Sequence, residues 1–112
     1  MPPLAALPDP PYYAVIFSSR RTGSDDGYDL AAQRMMALAK DQPGFLGVES
    51  VRDADGFGIT VSYWRDLDSL KAWGRNREHQ VVQRKGAEFW YGDYRLLITR
   101  VESSRTARRQ GR

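Results

Sequence analysis

The chain predicts an α+β fold of one domain, in the order β-α-β-β-α-β with the second helix broken. Three observations predict it. At 112 residues the chain has the length of a single domain. Four short stretches rich in β-branched and aromatic residues alternate in strand fashion. Between them lie two stretches with apolar residues at three- and four-residue steps, and Gly74 and Asn76 interrupt the second. That order is the ferredoxin-like split βαβ arrangement, with one antiparallel four-stranded sheet and its helices on one face.

Residues 1–11 hold five of the six prolines and read as an extended lead-in. They show no basic segment followed by an unbroken apolar run, so a secretory signal is not expected. Tyr12 to Arg20, YYAVIFSSR, is the first strand. Its alternation sets Tyr13, Val15, Phe17 and Ser19 on one face and Tyr12, Ala14, Ile16 and Ser18 on the other. Both faces are largely apolar, so both are expected to be covered. Thr22 to Gly27 is a polar loop with helix-start residues.

The first helix is expected from Asp26 to about Asp41, with Tyr28, Ala32, Met35 and Ala39 along its apolar stripe. Gln42-Pro43-Gly44 stops it. Phe45 to Arg52 is the second strand, and Asp53-Ala54-Asp55-Gly56 is hairpin-turn chemistry. In the third strand, Phe57 to Trp64, the bulky Phe57, Ile59, Val61 and Tyr63 alternate with Gly58, Thr60, Ser62 and Trp64. The bulky side is expected to carry the helices. Asp66 caps a helical piece bearing Leu67, Leu70 and Trp73; a second piece runs from Arg77 to about Phe89 and carries His79. Tyr91-Gly92-Asp93 reads as a turn, and Tyr94 to Glu102 as the last strand. The domain is placed at 12–103, with a flexible basic tail at 104–112.

Composition narrows the function classes. The chain has no cysteine and one histidine, His79, which removes disulfides, thiolate chemistry and multi-histidine metal sites within one chain. No metal site is expected. The net charge of +3 comes from the tail, because Arg105, Arg108, Arg109 and Arg112 leave 13 basic and 14 acidic groups elsewhere. Specific nucleic-acid binding is therefore not expected. No run is long enough for a membrane helix, and a cytoplasmic location is expected. Helices on one face of a sheet leave the other face apolar and open, which implies a symmetric homodimer closing two sheets into an α+β barrel.

Aromatic and titratable groups concentrate between Gly56 and Tyr94, a stretch with all three tryptophans and His79. Histidine suits a general base at neutral pH, although His79 also fits a helix-start cap or a satisfied half-buried group. Trp73 fits core or ligand wall, and Trp64 fits dimer contact or pocket. Arg77 and Arg95 can pair a ligand anion, with solvated arginine the simpler reading.

The stretches PGFLGVES (43–50), ITVSYWRDLDSLKAW (59–73), REHQVVQ (77–83) and FWYGDYRLLITRVE (89–102) together resemble the antibiotic biosynthesis monooxygenase family of dimeric α+β barrels. The resemblance implies a small apolar pocket between helices and sheet. It also implies a cofactor-independent oxidation of a small aromatic or phenolic substrate, with O2 as co-substrate. Carried onto this sequence, His79 takes the phenolic proton, and Trp73, Trp64, Phe17 and Tyr94 form the walls. A haem-degrading branch uses a first-strand Asn, a helical Trp and a His ten residues later. Trp73 fits that Trp, but Gln83 stands ten residues on and the sole asparagine is Asn76. Haem is thus not the expected cofactor. A non-catalytic haem or hydrophobic-metabolite binder, or a structural dimer without ligand, remains the alternative reading.

Overall fold

The computed structural model describes residues 4–23 and 27–107. The helix-start residues expected at Ser24 to Asp26, and the tail arginines Arg108, Arg109 and Arg112, lie outside them. The described elements are β1 (Tyr12–Arg21), α1 (Tyr28–Lys40), β2 (Phe45–Arg52), β3 (Phe57–Trp64), α2 (Leu67–Gly74), α3 (Arg77–Lys85), a π-helical turn (Gly86–Trp90) and β4 (Tyr91–Val101). The four strands form one antiparallel sheet in the order β2-β3-β1-β4. This is the expected ferredoxin-like architecture.

Local chemistry explains most boundaries. Asp53 Oδ1 accepts from the backbone N–H of Asp55 and Phe57 at 3.0 and 2.9 Å, which folds the β2–β3 hairpin. Asp66 caps α2 by accepting from the Ser69 N–H at 2.8 Å, and Asn76 caps α3 by accepting from the His79 N–H at 3.0 Å. The Ser69 hydroxyl, and after it this backbone bond, hold the Asp66 carboxyl below its ordinary pKa. A bidentate pair between Arg34 of α1 and Glu78 of α3, at 2.5 and 3.0 Å, ties the two helices together.

Two expectations are corrected. The helical pattern carries on only to Lys85; Gly86–Trp90 is a π-helical turn, and β4 starts at Tyr91 instead of after a Tyr91-Gly92-Asp93 turn. A bulge between Arg20 and Arg21 shifts the β1–β4 register so that Arg21 pairs with Tyr91. Backbone pairing can then begin early, and the turn residues become strand.

The second correction concerns the sheet faces. Tyr13 pairs with Trp64, and Trp64 stacks on Trp73 of α2, so the helices cover the small face of β3. The bulky residues Phe57, Ile59, Val61 and Tyr63 lie on the opposite, helix-free face. Room on the small face is used by Arg52, whose guanidinium lies over Gly58; a Cβ there would come within 2.7 Å of Arg52 Cζ. The helix-free face is not bare throughout. The Ala5 N–H donates to Glu49 Oε2 at 3.1 Å, and the Tyr63 hydroxyl donates to Glu49 Oε1 at 2.7 Å. The lead-in therefore straps across the Tyr63 end. Burial, reinforced by this carboxylate, pushes the Tyr63 pKa up to about 12.

Candidate functional site

His79 stands at the end of an aromatic column on the helix-bearing face. Phe45 meets Trp64 edge-on at 5.4 Å, Trp64 stacks with Trp73 at 6.0 Å, and Trp73 stacks with the His79 ring at 4.0 Å and 14°. Trp64 is fully buried and its Nε1–H donates to Ser62 Oγ at 3.0 Å. It is therefore a core support for Trp73 and meets no open space within this chain. The break between α2 and α3 folds the chain back, so that His79 lies over the indole six residues earlier.

That fold-back also fixes the imidazole. His79 Nδ1 lies 2.9 Å from the Trp73 carbonyl oxygen. A carbonyl only accepts, so in the neutral ring Nδ1 carries the hydrogen and Nε2 keeps its lone pair. Burial lowers the His79 pKa below its ordinary value, and the bond to the Trp73 carbonyl partly opposes this. The ring is thus neutral at pH 7, with Nε2 available as a base or hydrogen-bond acceptor.

Phe17 and Tyr94 belong to a second group. Phe17 packs against Tyr91 at 5.3 Å and Tyr94 at 5.9 Å, and Tyr91 meets Tyr28 of α1 at 5.9 Å. Trp64 pairs with Tyr13, and Phe17 lies four residues along β1, so the two groups stand about 14 Å apart along the sheet. The five expected site residues share one face but do not converge on one point. Between the groups, Val15 pairs with Ile98 and Phe17 with Leu96. Tyr94, Leu96 and Ile98 remain 54%, 47% and 54% exposed although they point to the helix side. The helices leave the β4 half of this face uncovered, as an exposed apolar strip. A cavity of about 290 Å³ includes Tyr94, and one of about 560 Å³ lies between the lead-in and residues Ser104 and Thr106; neither reaches His79.

The sequence reading missed the arginine–tyrosine cluster at the Tyr94 end. Arg52 donates to Ser19 Oγ at 2.9 Å, to the Tyr28 hydroxyl at 3.3 Å and to the Gly56 carbonyl at 2.5 Å. Arg21 lies over the Tyr28 ring at 3.7 Å. Burial, then its bond to Tyr28, raises the Tyr91 pKa strongly, so Tyr91 stays protonated at neutral pH. The one sequence signal for this cluster was Gly58, which faces Arg52 across the hairpin and leaves space for it. Among the described residues, no group of three or more His, Cys, Asp or Glu side chains can hold a metal ion. No helix among them is long and apolar enough to cross a membrane.

The described residues thus form a ferredoxin-like α+β domain with an aromatic–histidine column on its helix-bearing face. The chain belongs to the antibiotic biosynthesis monooxygenase family, whose model matches residues 11–85. It is 53% identical over 102 residues to the uncharacterised protein YqjZ of Bacillus subtilis, spanning 91% of this chain and 90% of that protein. It is 31% identical over 97 residues to a jasmonate monooxygenase of Pyricularia oryzae, covering 82% of this chain and only 44% of that protein. The cofactor-independent oxygenase SnoaB from Streptomyces nogalater superposes with a TM-score of 0.66 at 16% identity, over 90% of this chain and 97% of SnoaB. That last likeness shows the fold.

Proposed function

We propose that this protein is a cofactor-independent monooxygenase acting on a small aromatic or phenolic substrate in an apolar pocket between helices and sheet, with His79 as its base. The observation that carries the reading is the hydrogen bond from Nδ1 to the Trp73 carbonyl, which orients a neutral imidazole with Nε2 free. Family membership and the monooxygenase named among its relatives support the reaction class.

In this reading Nε2 takes the phenolic proton. The phenolate, richer in electrons, gives one electron to O2, the resulting radical pair joins to form a C–O bond at a ring carbon, and the peroxide takes the proton back from the His79 imidazolium to become a hydroperoxide. Loss of water from the hydroperoxide leaves a quinone, so one oxygen atom enters the product and the other leaves as water. The protein supplies a base of suitable pKa and an apolar surface. His79 offers the open end of the aromatic column, backed by Trp73, and Leu96 and Ile98 expose apolar surface on the same side of the sheet. No cofactor is part of this scheme, and O2 is the co-substrate. A homodimer through the helix-free sheet face, and a cytoplasmic location, complete the proposal.

Oxygen uptake with a panel of phenols and hydroquinones tests it. Wild type is expected to consume O2 with at least one of them, and His79→Ala to lower kcat/KM by about 10²–10⁴-fold. Because burial depresses the pKa, activity is expected to hold at neutral pH and to fall only below about 6.5. Silence of the wild type across a broad panel would overturn the oxygenase reading; unchanged turnover in His79→Ala would remove His79 from it.

A further inference from the structure

We propose that the helix-bearing face of the sheet carries a binding site for an organic carboxylate with an apolar body. Its acid group is held by Tyr28 and the Ser50–Thr60 hydroxyl pair, beside Arg52. The site concerns binding alone and does not rest on the oxygenase reading. It lies on the side of the sheet that the proposed homodimer leaves open.

Strand register assembles it. Thr60 pairs with Ser50 on one side and with Phe17 on the other, and Phe17 pairs with Leu96. These four form one line across the sheet on the helix side, passing from hydroxyl to aromatic to aliphatic. Ser50 and Leu96 are exposed, and Thr60 and Phe17 half-buried, so the helices do not close this line. Gly58, over which the Arg52 guanidinium lies, is two residues from Thr60, a step of about 7 Å.

Two features point to an anion. Arg52 forms no ion pair among the described residues, and its Nη atoms donate only to the neutral oxygens of Ser19, Gly56 and Tyr28. The acids within the strands, Glu49 and Asp93, both fall on the opposite face by register. A half-buried guanidinium with no carboxylate on its side of the sheet attracts one from outside. One such cation matches the single charge of a carboxylate.

The donors are in place as well. The Tyr28 oxygen accepts from Arg52 Nη2 at 3.3 Å and from the Tyr91 hydroxyl at 3.5 Å. A phenol polarised by two donors, one of them charged, offers its own hydrogen more strongly. Ser50 Oγ and Thr60 Oγ1 lie 2.6 Å apart, so one hydroxyl donates to the other and one hydrogen is left over. A carboxylate with a hydrogen bond at each oxygen spans about 7 to 8 Å, the scale of the step from Gly58 to Thr60. Beyond the acid group, Phe17 and the exposed Leu96 and Ile98 supply apolar surface for the body.

The test is a titration of ¹⁵N-labelled protein with sodium octanoate, its neutral isostere octanamide, and sodium acetate, followed by amide chemical shifts. Octanoate at millimolar concentration is expected to give saturable shifts at Phe17, Tyr28, Thr60 and Leu96. Octanamide and acetate are each expected to bind at least about tenfold more weakly. Tyr28→Phe keeps the ring, removes the hydroxyl and is expected to weaken octanoate binding about tenfold. Thr60→Val, at a half-buried position, is expected to weaken it about threefold and serves where the first variant disturbs the fold. Shifts that fail to saturate, or that centre on Phe57, Ile59 and Leu97 of the other face, would overturn the site. Equal binding of octanamide would overturn recognition of the acid group, and equal binding of acetate that of the apolar body. Octanoate affinity unchanged in both variants would remove the assigned donors, and the proposal fails.

Discussion

His79 takes its character from the chain immediately before it. The Trp73 carbonyl decides which nitrogen holds the hydrogen, the Trp73 ring covers one face of the imidazole, and burial lowers the pKa. The same shift has a thermodynamic consequence. The unfolded chain takes up a proton at His79 near pH 6.5, whereas the folded chain resists until a lower pH. This contribution to stability is therefore fully present above about pH 6.5 and is lost as pH falls toward the folded pKa. Urea denaturation of wild type between about pH 7.5 and 5 is expected to show that decline, and His79→Gln to lack its histidine component. Equal slopes in the two proteins would show that His79 is not desolvated by folding.

At the level of elements, the tight junctions matter more than the helix lengths. Gly44, between α1 and β2, has a φ of 81°, and a Cβ there would overlap the buried Ser69 side chain of α2. The same glycine's carbonyl accepts from the Arg65 N–H at 2.7 Å, so the turn joins the β3–α2 junction directly. Gly44→Ala combines left-handed strain with overpacking and is expected to cost about 2–4 kcal/mol in chemical denaturation. A loss below about 0.5 kcal/mol would show that the junction yields freely. The break at Gly74 to Asn76 was legible because glycine and asparagine are punctuation that acts locally. The start of β4 was not, because Tyr91 becomes strand through a bulge in β1, seventy residues earlier.

Across the whole molecule, the sheet separates two chemistries. The helix side holds the aromatic column, the exposed strip of β4 and the arginine–tyrosine cluster. The other side exposes Val51, Phe57, Ile59 and Leu97, with the lead-in strapped over one end. The proposed homodimer would bury this apolar surface. Light scattering at micromolar concentration is expected to give twice the chain mass of 12.8 kDa, and Ile59→Asp to shift it toward the single chain. A wild-type mass of one chain would sink the barrel assembly.

Element order, most boundaries, the Asp66 cap and the concentration of aromatic groups could be read from the sequence alone. They depend on neighbours within a few residues: alternation, 3.6-residue periodicity, Asp66 as a cap, Gly74 and Asn76 as a break, Gly56 in a hairpin. Only the tertiary structure decided which face of β3 meets the helices, since alternation defines two faces without saying which one is covered. It also separated Phe17 and Tyr94 from the His79 column, buried Trp64 beneath Trp73, and brought Arg52 over Gly58. These relations join residues through strand register and helix placement, where the energy lies in packing between distant segments and leaves no local mark on the chain.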